Sequence, residues 1–315
     1  MMRIVFMGTP DFAVPILEVL KQSGYDLVAV VTQPDRPSGR GHKVQISSVK
    51  EKALELGLQV VQPQKVKDEQ FIKVLQDLQP ELIVVAAYGQ ILPEEILRMP
   101  LYGCLNVHAS LLPYYRGAAP IQRAIMEGAK KTGVSIMLMD KGLDTGDILT
   151  QEEIPIPIEL NFGQLHDQLA FVGSQLLSKT IPLWIEGKIA PRSQSGLSSN
   201  YAYPLKKEDE KIDWTNSAEV IYNQIRGLTP APGAYTIFKG NSLKIKEAEI
   251  YAWEGKQNPE GTVHGLVKGQ GFVVQAGQGS LLIKQVQPRG KKVMTAQSYL
   301  NGYHLEVGDV FNDSE

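Results

Sequence analysis

Cysteine is nearly missing from this 315-residue chain, where Cys104 stands alone. That excludes an internal disulfide framework and suits a reducing compartment. Long apolar runs are missing too. None approaches the roughly 20 residues that a helix needs to cross a bilayer, and residues 2–8 are too few for the apolar core of a signal peptide. A cytoplasmic protein with no membrane partner is expected. Charge of one sign is scarce, with a net value of −2, so any contact with nucleic acid must come from a local patch rather than a global field. Several chemical signatures are also absent. There is no G-x-x-x-x-G-K-[ST] phosphate loop, Gly8 lacks the further glycines of a dinucleotide fingerprint, and no G-x-S-x-G elbow occurs. The histidines His42, His108, His166, His264 and His304 are scattered without an H-E-x-x-H motif, which argues against a metal.

What is present is an ordinary globular balance, with 43% hydrophobic and 21% charged residues, in a length that suggests two domains. Residues 3–7 form an apolar run. Phe12, Ala13, Ile16, Leu17 and Leu20 follow at helical spacing behind Asp11, a candidate N-cap, and a second apolar run covers 27–32. This βαβ opening predicts a parallel sheet. Helices are expected over 47–56, 68–78, 119–127 and 162–177, and strands over 82–87, 105–108 and 134–139. Residues 186–206 turn polar and irregular, as a linker does. After a helix over 217–228, short strands near 234–238, 243–250, 261–267, 272–276 and 281–286 suggest a small barrel of the oligonucleotide-binding type. The expected fold is α/β: an N-terminal domain, 1–188, with a Rossmann-like, mostly parallel sheet, a linker, 189–206, and a smaller C-terminal OB-like β-barrel domain, 207–315.

In an open α/β sheet ligands lie beyond the carboxyl ends of the strands, where loops 86–93, 106–120 and 139–147 are expected to converge. Asn106 and His108 stand two residues apart on a strand and so project from one face. The segment Gly142-Leu-Asp144-Thr-Gly146-Asp147 brings acids back beside them. A histidine exchanges protons near neutral pH, an asparagine amide can donate to an oxyanion, and a neighbouring carboxylate fixes the imidazole tautomer. With no protein nucleophile standing out, these groups suit transfer of a carbonyl group to a nucleophile carried by the substrate. His108 alone would more commonly be a structural histidine; Asn106 and the acid loop beside it favour catalysis. Residues 33–43, with Arg36, Arg40 and Lys43 among turn residues, predict an exposed, mobile loop. It suits an anionic partner and a solvated connector equally well.

Asn106-Val-His108, Ser110-Leu-Leu-Pro113, Arg116-Gly-Ala-Ala-Pro120 and Gly142-Leu-Asp144-Thr-Gly146 resemble the signature of the folate-dependent formyltransferases. Met7-Gly-Thr-Pro-Asp-Phe12, Thr32-Gln-Pro-Asp-Arg-Pro37, Gly39-Arg-Gly41, Val85-Ala-Ala-Tyr-Gly89, Ile212-Asp-Trp214 and Lys291-Lys292-Val-Met-Thr-Ala296 extend the likeness, in order, over nearly the whole chain. They match the branch of the family that acts on tRNA. The resemblance implies 10-formyltetrahydrofolate as formyl donor, no metal, and the methionine amino group of initiator methionyl-tRNA as acceptor. It makes Asn106, His108 and Asp144 the catalytic residues. For folate it implies Ala86, Tyr88, Gly89, Ile91 and Leu92 on one loop, Met139, Asp140 and Gly142 on another, and the stretch Ser110, Leu111, Leu112 and Pro113. For Leu111 and Leu112, core packing is a second role that does not exclude the first. For tRNA it implies Arg40, with Arg36 and Lys43 near it, Arg116, and in the C-terminal domain Arg289, Lys291 and Lys292.

Two positions depart from the pattern. His42 stands where a more basic residue is expected, and Tyr114-Tyr115 replaces the usual Arg-Trp, which weakens any stacking or phosphate role there. Residues 207–315 hold 12 Lys/Arg against 13 Asp/Glu, so this is no basic module. Arg289, Lys291 and Lys292, with Lys244 and Lys246, form either a local phosphate-tracking patch or a solvated charged face. A monomer is expected. A formyltransferase acting on a small amine, or a hydrolase releasing formate, would share the catalytic set without needing the basic loop or second domain. A non-catalytic RNA-binding protein would need no such set.

Overall fold

The apolar run at the amino end becomes β1 (Arg3–Gly8), buried from Ile4 onward. It is an inner strand of a seven-stranded sheet in a computed structural model that describes residues 1–38, 43–255 and 258–311, without the side chains of 37, 38, 43 and 44. The chain divides into two compact units. One comprises Met1–Pro120, Lys131–Pro155 and His166–Ala202, the other Ile121–Lys130, Ile156–Leu165 and Tyr203–Glu315.

In the first unit β1 leads through a 3₁₀ turn, Asp11–Ala13, into α1 (Val14–Gln22) and β2 (Asp26–Val31). Asp11 does not cap α1. Its carboxylate accepts from its neighbour Phe12 N at 3.1 Å, and the helix starts after Ala13 with no side-chain cap. Residues 33–43, expected as a loop, carry β3 (Arg36–Ser38) paired antiparallel with β4 (Lys43–Gln45). Strands of three residues, one containing proline, leave no period to read. The chain continues through α2 (Ser48–Glu55), β5 (Val60–Val61), α3 (Glu69–Leu78), β6 (Leu82–Ala86), α4 (Glu94–Leu97) and β7 (Cys104–His108). There follow β8 (Arg116–Gly117), α5 (Pro120–Met126, in the second unit from Ile121), β9 (Lys131–Leu138), β10 (Ile148–Pro155), α6 (Phe162–Ile185, in the first unit from His166) and β11 (Tyr201–Ala202).

The sheet order is β10-β9-β7-β6-β1-β2-β5. Strands β7, β6, β1, β2 and β5 run parallel, whereas β9 is antiparallel to β7 and β10 antiparallel to β9. From β1 the chain builds outward through β2 and β5, then returns to β1's other side with β6. The switch point therefore lies between β1 and β6, where doubly wound sheets place ligands. On one sheet face Val5, Met7, Ala29, Val31, Ile83, Val85 and Cys104 pack against Phe71, Leu75 and Ile96. Burying each such side chain contributes about 1.5–3 kcal/mol.

The second unit carries α7 (Lys207–Glu210), α8 (Ala218–Gly227) and α9 (Ala296–Tyr303) around an antiparallel sheet. Its strands are β12 (Tyr235–Phe238), β13 (Asn241–Tyr251), β14 (Val263–Val267), β15 (Gly271–Gln275), β16 (Ser280–Pro288) and β17 (Met294–Thr295). The order is β12-β13-β16-β15-β14 with β17 against β16. Register shifts at 245/247 and 247/248 of β13 let a long strand curl. Ile221 and Ile225 of α8 join Leu243, Phe272, Val274 and Ile283 in its core. Residues 121–130 are tied into this unit by a fork in which Arg123 Nη1 and Nη2 donate to the Asp209 carboxylate at 2.9 and 2.7 Å. Among the described residues no helix is long and apolar enough to cross a membrane.

Candidate active site

β7 is buried throughout, and its alternation sends Cys104, Asn106 and His108 to one face. The Cys104 thiol is pushed up to about 12 by burial and its Sγ lies 3.6 Å from Ile96 O, so it packs as a small apolar group and is no nucleophile near neutral pH. Asn106 and His108 are also buried, and the residue that joins them is Asp144. Asn106 Nδ2 donates to Asp144 Oδ1 at 3.3 Å, Gly117 N donates to Asp144 Oδ2 at 2.8 Å, and His108 Nδ1 faces Asp144 Oδ2 at 3.7 Å. His108 Nε2 lies 3.0 Å from Tyr115 O. A carbonyl only accepts, which assigns the hydrogen to Nε2 and leaves Nδ1 toward the carboxylate.

The loop carrying Asp144 arrives differently from the other two. Because β9 is antiparallel to β7, with Leu138 opposite Leu105, residues 139–147 leave beside the amino end of β7, where Met139 N donates to Cys104 O at 2.8 Å. The loop must turn back along β7 before Asp144 can meet Asn106 and His108. It does so tightly. The Asp140 carboxylate accepts from Gly142 N at 2.9 Å and Thr145 Oγ1 at 2.8 Å, Leu138 N donates to Asp147 O at 2.8 Å, and Asp144 sits at φ +53°.

Within 189–206, expected as a linker, Gln194, Ser199, Asn200 and β11 are built into this site. Gln194 is 3% exposed and bonds Arg116 as well as the carbonyls of Asp144 and Gly146. Asn200 Oδ1 accepts from Tyr115 N at 2.6 Å, and β11 pairs with β8. Sequence reasoning missed Gln194 and Asn200, because polar residues in an irregular, serine-rich stretch carry no periodicity that announces burial. It also missed Ser135 and Gln151. Ser135 Oγ donates to Ser110 O at 2.7 Å and accepts from Leu112 N at 3.0 Å, and Gln151 Nε2 donates to Leu112 O at 2.9 Å.

The residues expected at folate divide into two groups. Ala86, Tyr88, Leu92, Ser110 and Leu112 are buried. Ser110 Oγ donates to Tyr114 O at 2.6 Å, so Ser110 and Leu112 shape the site from within, whereas Leu111 and Pro113 are half-buried. Burial pushes the Tyr88 phenol up to about 12, and its carbonyl accepts from Thr9 Oγ1 at 3.0 Å. Gly89, Asp140 and Gly142 are exposed, Met139 is half-buried, and Ile91 is 78% exposed. A hollow of about 590 Å³ opens at the ends of β1, β2 and β6, lined by Thr9, Gln33, Arg36, Gln45, Ser47 and Tyr88 among others.

Of the residues expected at tRNA, Arg40 and the Lys43 side chain lie outside the described residues, and Arg36 is exposed on β3. Arg116 is corrected. It is 7% exposed and its guanidinium bonds Gln194 and Ser199, so it faces the interior and not a phosphate. Arg289, Lys291 and Lys292 are exposed on the turn between β16 and β17. Lys244 and Lys246 instead turn to the carbonyls of Pro232 and Pro230. Among the described residues no three His, Cys, Asp or Glu side chains could hold a metal ion.

A buried amide and imidazole and a half-buried carboxylate, with no activated protein nucleophile beside them among the described residues, equip a site for passing a carbonyl-level group from one bound substrate to another. On a switch-point sheet with an appended antiparallel domain, they define a two-domain α/β group transferase. Residues 2–181 match the formyl transferase family and residues 204–304 the formyl transferase C-terminal domain. The chain belongs to the formyl transferase family. It is 53% identical over 310 residues to a methionyl-tRNA formyltransferase of Moorella thermoacetica, covering 98% of this chain and 99% of that one. It is 48% identical over 311 residues to the protein of that name from Bacillus subtilis, covering 98% of each. Its fold resembles a solved structure of HypX from Aquifex aeolicus in complex with tetrahydrofolic acid, with a TM-score of 0.64 and 15% identity, covering 98% of this chain and 48% of that one.

Proposed function

We propose that this chain transfers the formyl group of 10-formyltetrahydrofolate to the amino group of methionine on initiator methionyl-tRNA, giving formylmethionyl-tRNA and tetrahydrofolate for translation initiation. The observation that carries this reading is the placement of Asp144, whose carboxylate is held by Gly117 N and Asn106 Nδ2 opposite His108 Nδ1, in a chain so similar along its length to the two formyltransferases above. The donor supplies a formyl carbon on a nitrogen that can leave. Ile91, and Leu143 at 53% exposed, offer an apolar surface for its flat rings on the two loops that the family uses for folate.

The neutral methionyl amine attacks the formyl carbon. Asn106 Nδ2 has two hydrogens; one meets Asp144, and the second donates to the charge that builds on the formyl oxygen. One such donor is worth roughly 3 kcal/mol. The proton leaving the amine passes to the His108–Asp144 pair, which returns it to the departing nitrogen. His108 takes part through Nδ1, since Nε2 is committed to Tyr115 O.

Residues 1–188 carry this chemistry in the proposed reading, and 207–315 serve tRNA. Arg36, Arg40 and Lys43 contact the acceptor stem, and the exposed Arg289, Lys291 and Lys292 track phosphates, contacts that position without reading sequence. The protein acts as a cytoplasmic monomer. Incubation with 10-formyltetrahydrofolate and charged initiator tRNA should yield formylmethionyl product. Transfer to a free small amine instead, formate release alone, or binding without turnover would each overturn the assignment. Arg40→Ala should raise KM for initiator tRNA about ten-fold, the loss of a charge-assisted contact of roughly 1.4 kcal/mol, and weaken discrimination against elongator tRNA with folate kinetics intact. Unchanged kinetics on tRNA would remove Arg40 from the contact.

A further inference from the structure

One buried polar network performs no proton transfer yet closes on the loop that does. All four hydrogen-bonding positions of the Gln194 amide are engaged. Nε2 donates to Asp144 O at 3.1 Å and Gly146 O at 2.6 Å, while Oε1 accepts from Arg116 Nε at 3.2 Å and Nη2 at 2.8 Å. The guanidinium fixes the direction of the amide: Oε1 must face the cation, so Nε2 must face the carbonyls. Arg116 Nη1 reaches Ser199 Oγ at 3.4 Å, so the partners of this buried cation are neutral. A buried charge with neutral partners is costly to keep, and its most direct consequence here is the orientation of one amide.

Asp144 needs such a tie. Its φ of +53° is a conformation that L side chains rarely adopt, on a loop that turns back along β7. Gln194 grips the carbonyls of residues 144 and 146, on either side of Thr145. Holding both fixes the path of the backbone, and with it the direction in which the Asp144 carboxylate leaves the chain. Arg116 contributes at a second point, because its neighbour Gly117 provides the N–H that meets Asp144 Oδ2.

We propose that Gln194, oriented by Arg116, is a positioning residue for formyl transfer, holding residues 144–146 so that the Asp144 carboxylate stays against Gly117 N and Asn106 Nδ2 and across from His108 Nδ1. The proposal rests on the reading of Asp144 as part of the transfer machinery, and a double-mutant cycle separates the two. Gln194→Ala removes the tie. Gln194→Glu keeps the size and an attraction for Arg116, so it preserves packing, but offers no N–H to the carbonyls.

Both variants should lower kcat about 30- to 100-fold, as expected when a reacting group is misplaced by about an ångström, with KM for each substrate within about three-fold and near-wild-type melting for Gln194→Glu. In an Asp144→Asn background either substitution should lower the remaining rate less than about two-fold, since residues that act as a unit are not additive. A full multiplicative loss in that background, or a rise in KM with kcat unchanged, would overturn the proposal. An unchanged rate in Asp144→Asn alone would overturn the role of Asp144, and the proposal with it.

Discussion

Asp144→Asn should lower kcat for formyl transfer about 1000-fold, within the range that a positioned acid–base group supplies, while KM for the folate donor changes by no more than a few-fold. Asparagine tolerates positive φ better than most residues, so the loop keeps its turn at 144 and the loss isolates the charge. The amide cannot reproduce the carboxylate's contacts. If its oxygen faces Gly117 N, its hydrogens face Asn106 Nδ2; reversed, they face Gly117 N–H. Either orientation sets donor against donor where the native carboxylate accepts from both at 2.8 and 3.3 Å. His108 Nδ1 also loses the anion 3.7 Å away. Steady-state rates with charged initiator tRNA, alongside a melting curve, test this directly. A rate within a few-fold of wild type would show that proton handling does not pass through Asp144.

The part of this site that lies on a regular element was legible in the sequence. Asn106 and His108 share a face because a strand alternates, and the apolar run before them marks the strand. Asp144 was legible through the family motif, but the way it reaches its partners was not. The order of motifs does not say that β9 runs antiparallel to β7, and that direction forces the loop to double back. The same limit explains Arg116. The family resemblance implies a tRNA contact for Arg116, and its burial is decided by Gln194, 78 positions along the chain. Lys244 and Lys246 follow this pattern, since nothing local announces that the carbonyls of Pro230 and Pro232 will draw them in. In the second unit the five main strands fall where alternation and glycine-rich turns place them. The two-residue β17 and the helix after it are too short, or too mixed in polarity, to stand out.

Gly146→Ala should damage stability and activity together, because the turn-back of the Asp144 loop has no room for a methyl group. A Cβ at residue 146 would lie 1.9 Å from Leu138 O and 3.0 Å from Leu138 C, and backbone cannot swing aside as a side-chain tip can. Relief requires residues 146–147 to move off β9. That stretches the 2.8 Å bond between Leu138 N and Asp147 O and the 2.6 Å bond from Gln194 Nε2 to Gly146 O. Overpacking of this kind costs about 3 kcal/mol, which for a unit of this size lowers the melting temperature by roughly 6–12 °C. The catalytic loss should be larger than thermal measurements suggest. A displacement of about an ångström at 146 reaches Asp144 two residues earlier, and misplacement on that scale is enough for about a 100-fold fall in kcat. Gly302, which has open space around it and no positive φ, provides the control: with no atom to strike, Gly302→Ala should leave kcat within about two-fold. A Gly146→Ala variant with wild-type kcat and melting temperature would mean that the loop adjusts without moving Asp144, and that the close approach at Leu138 is not what shapes the site.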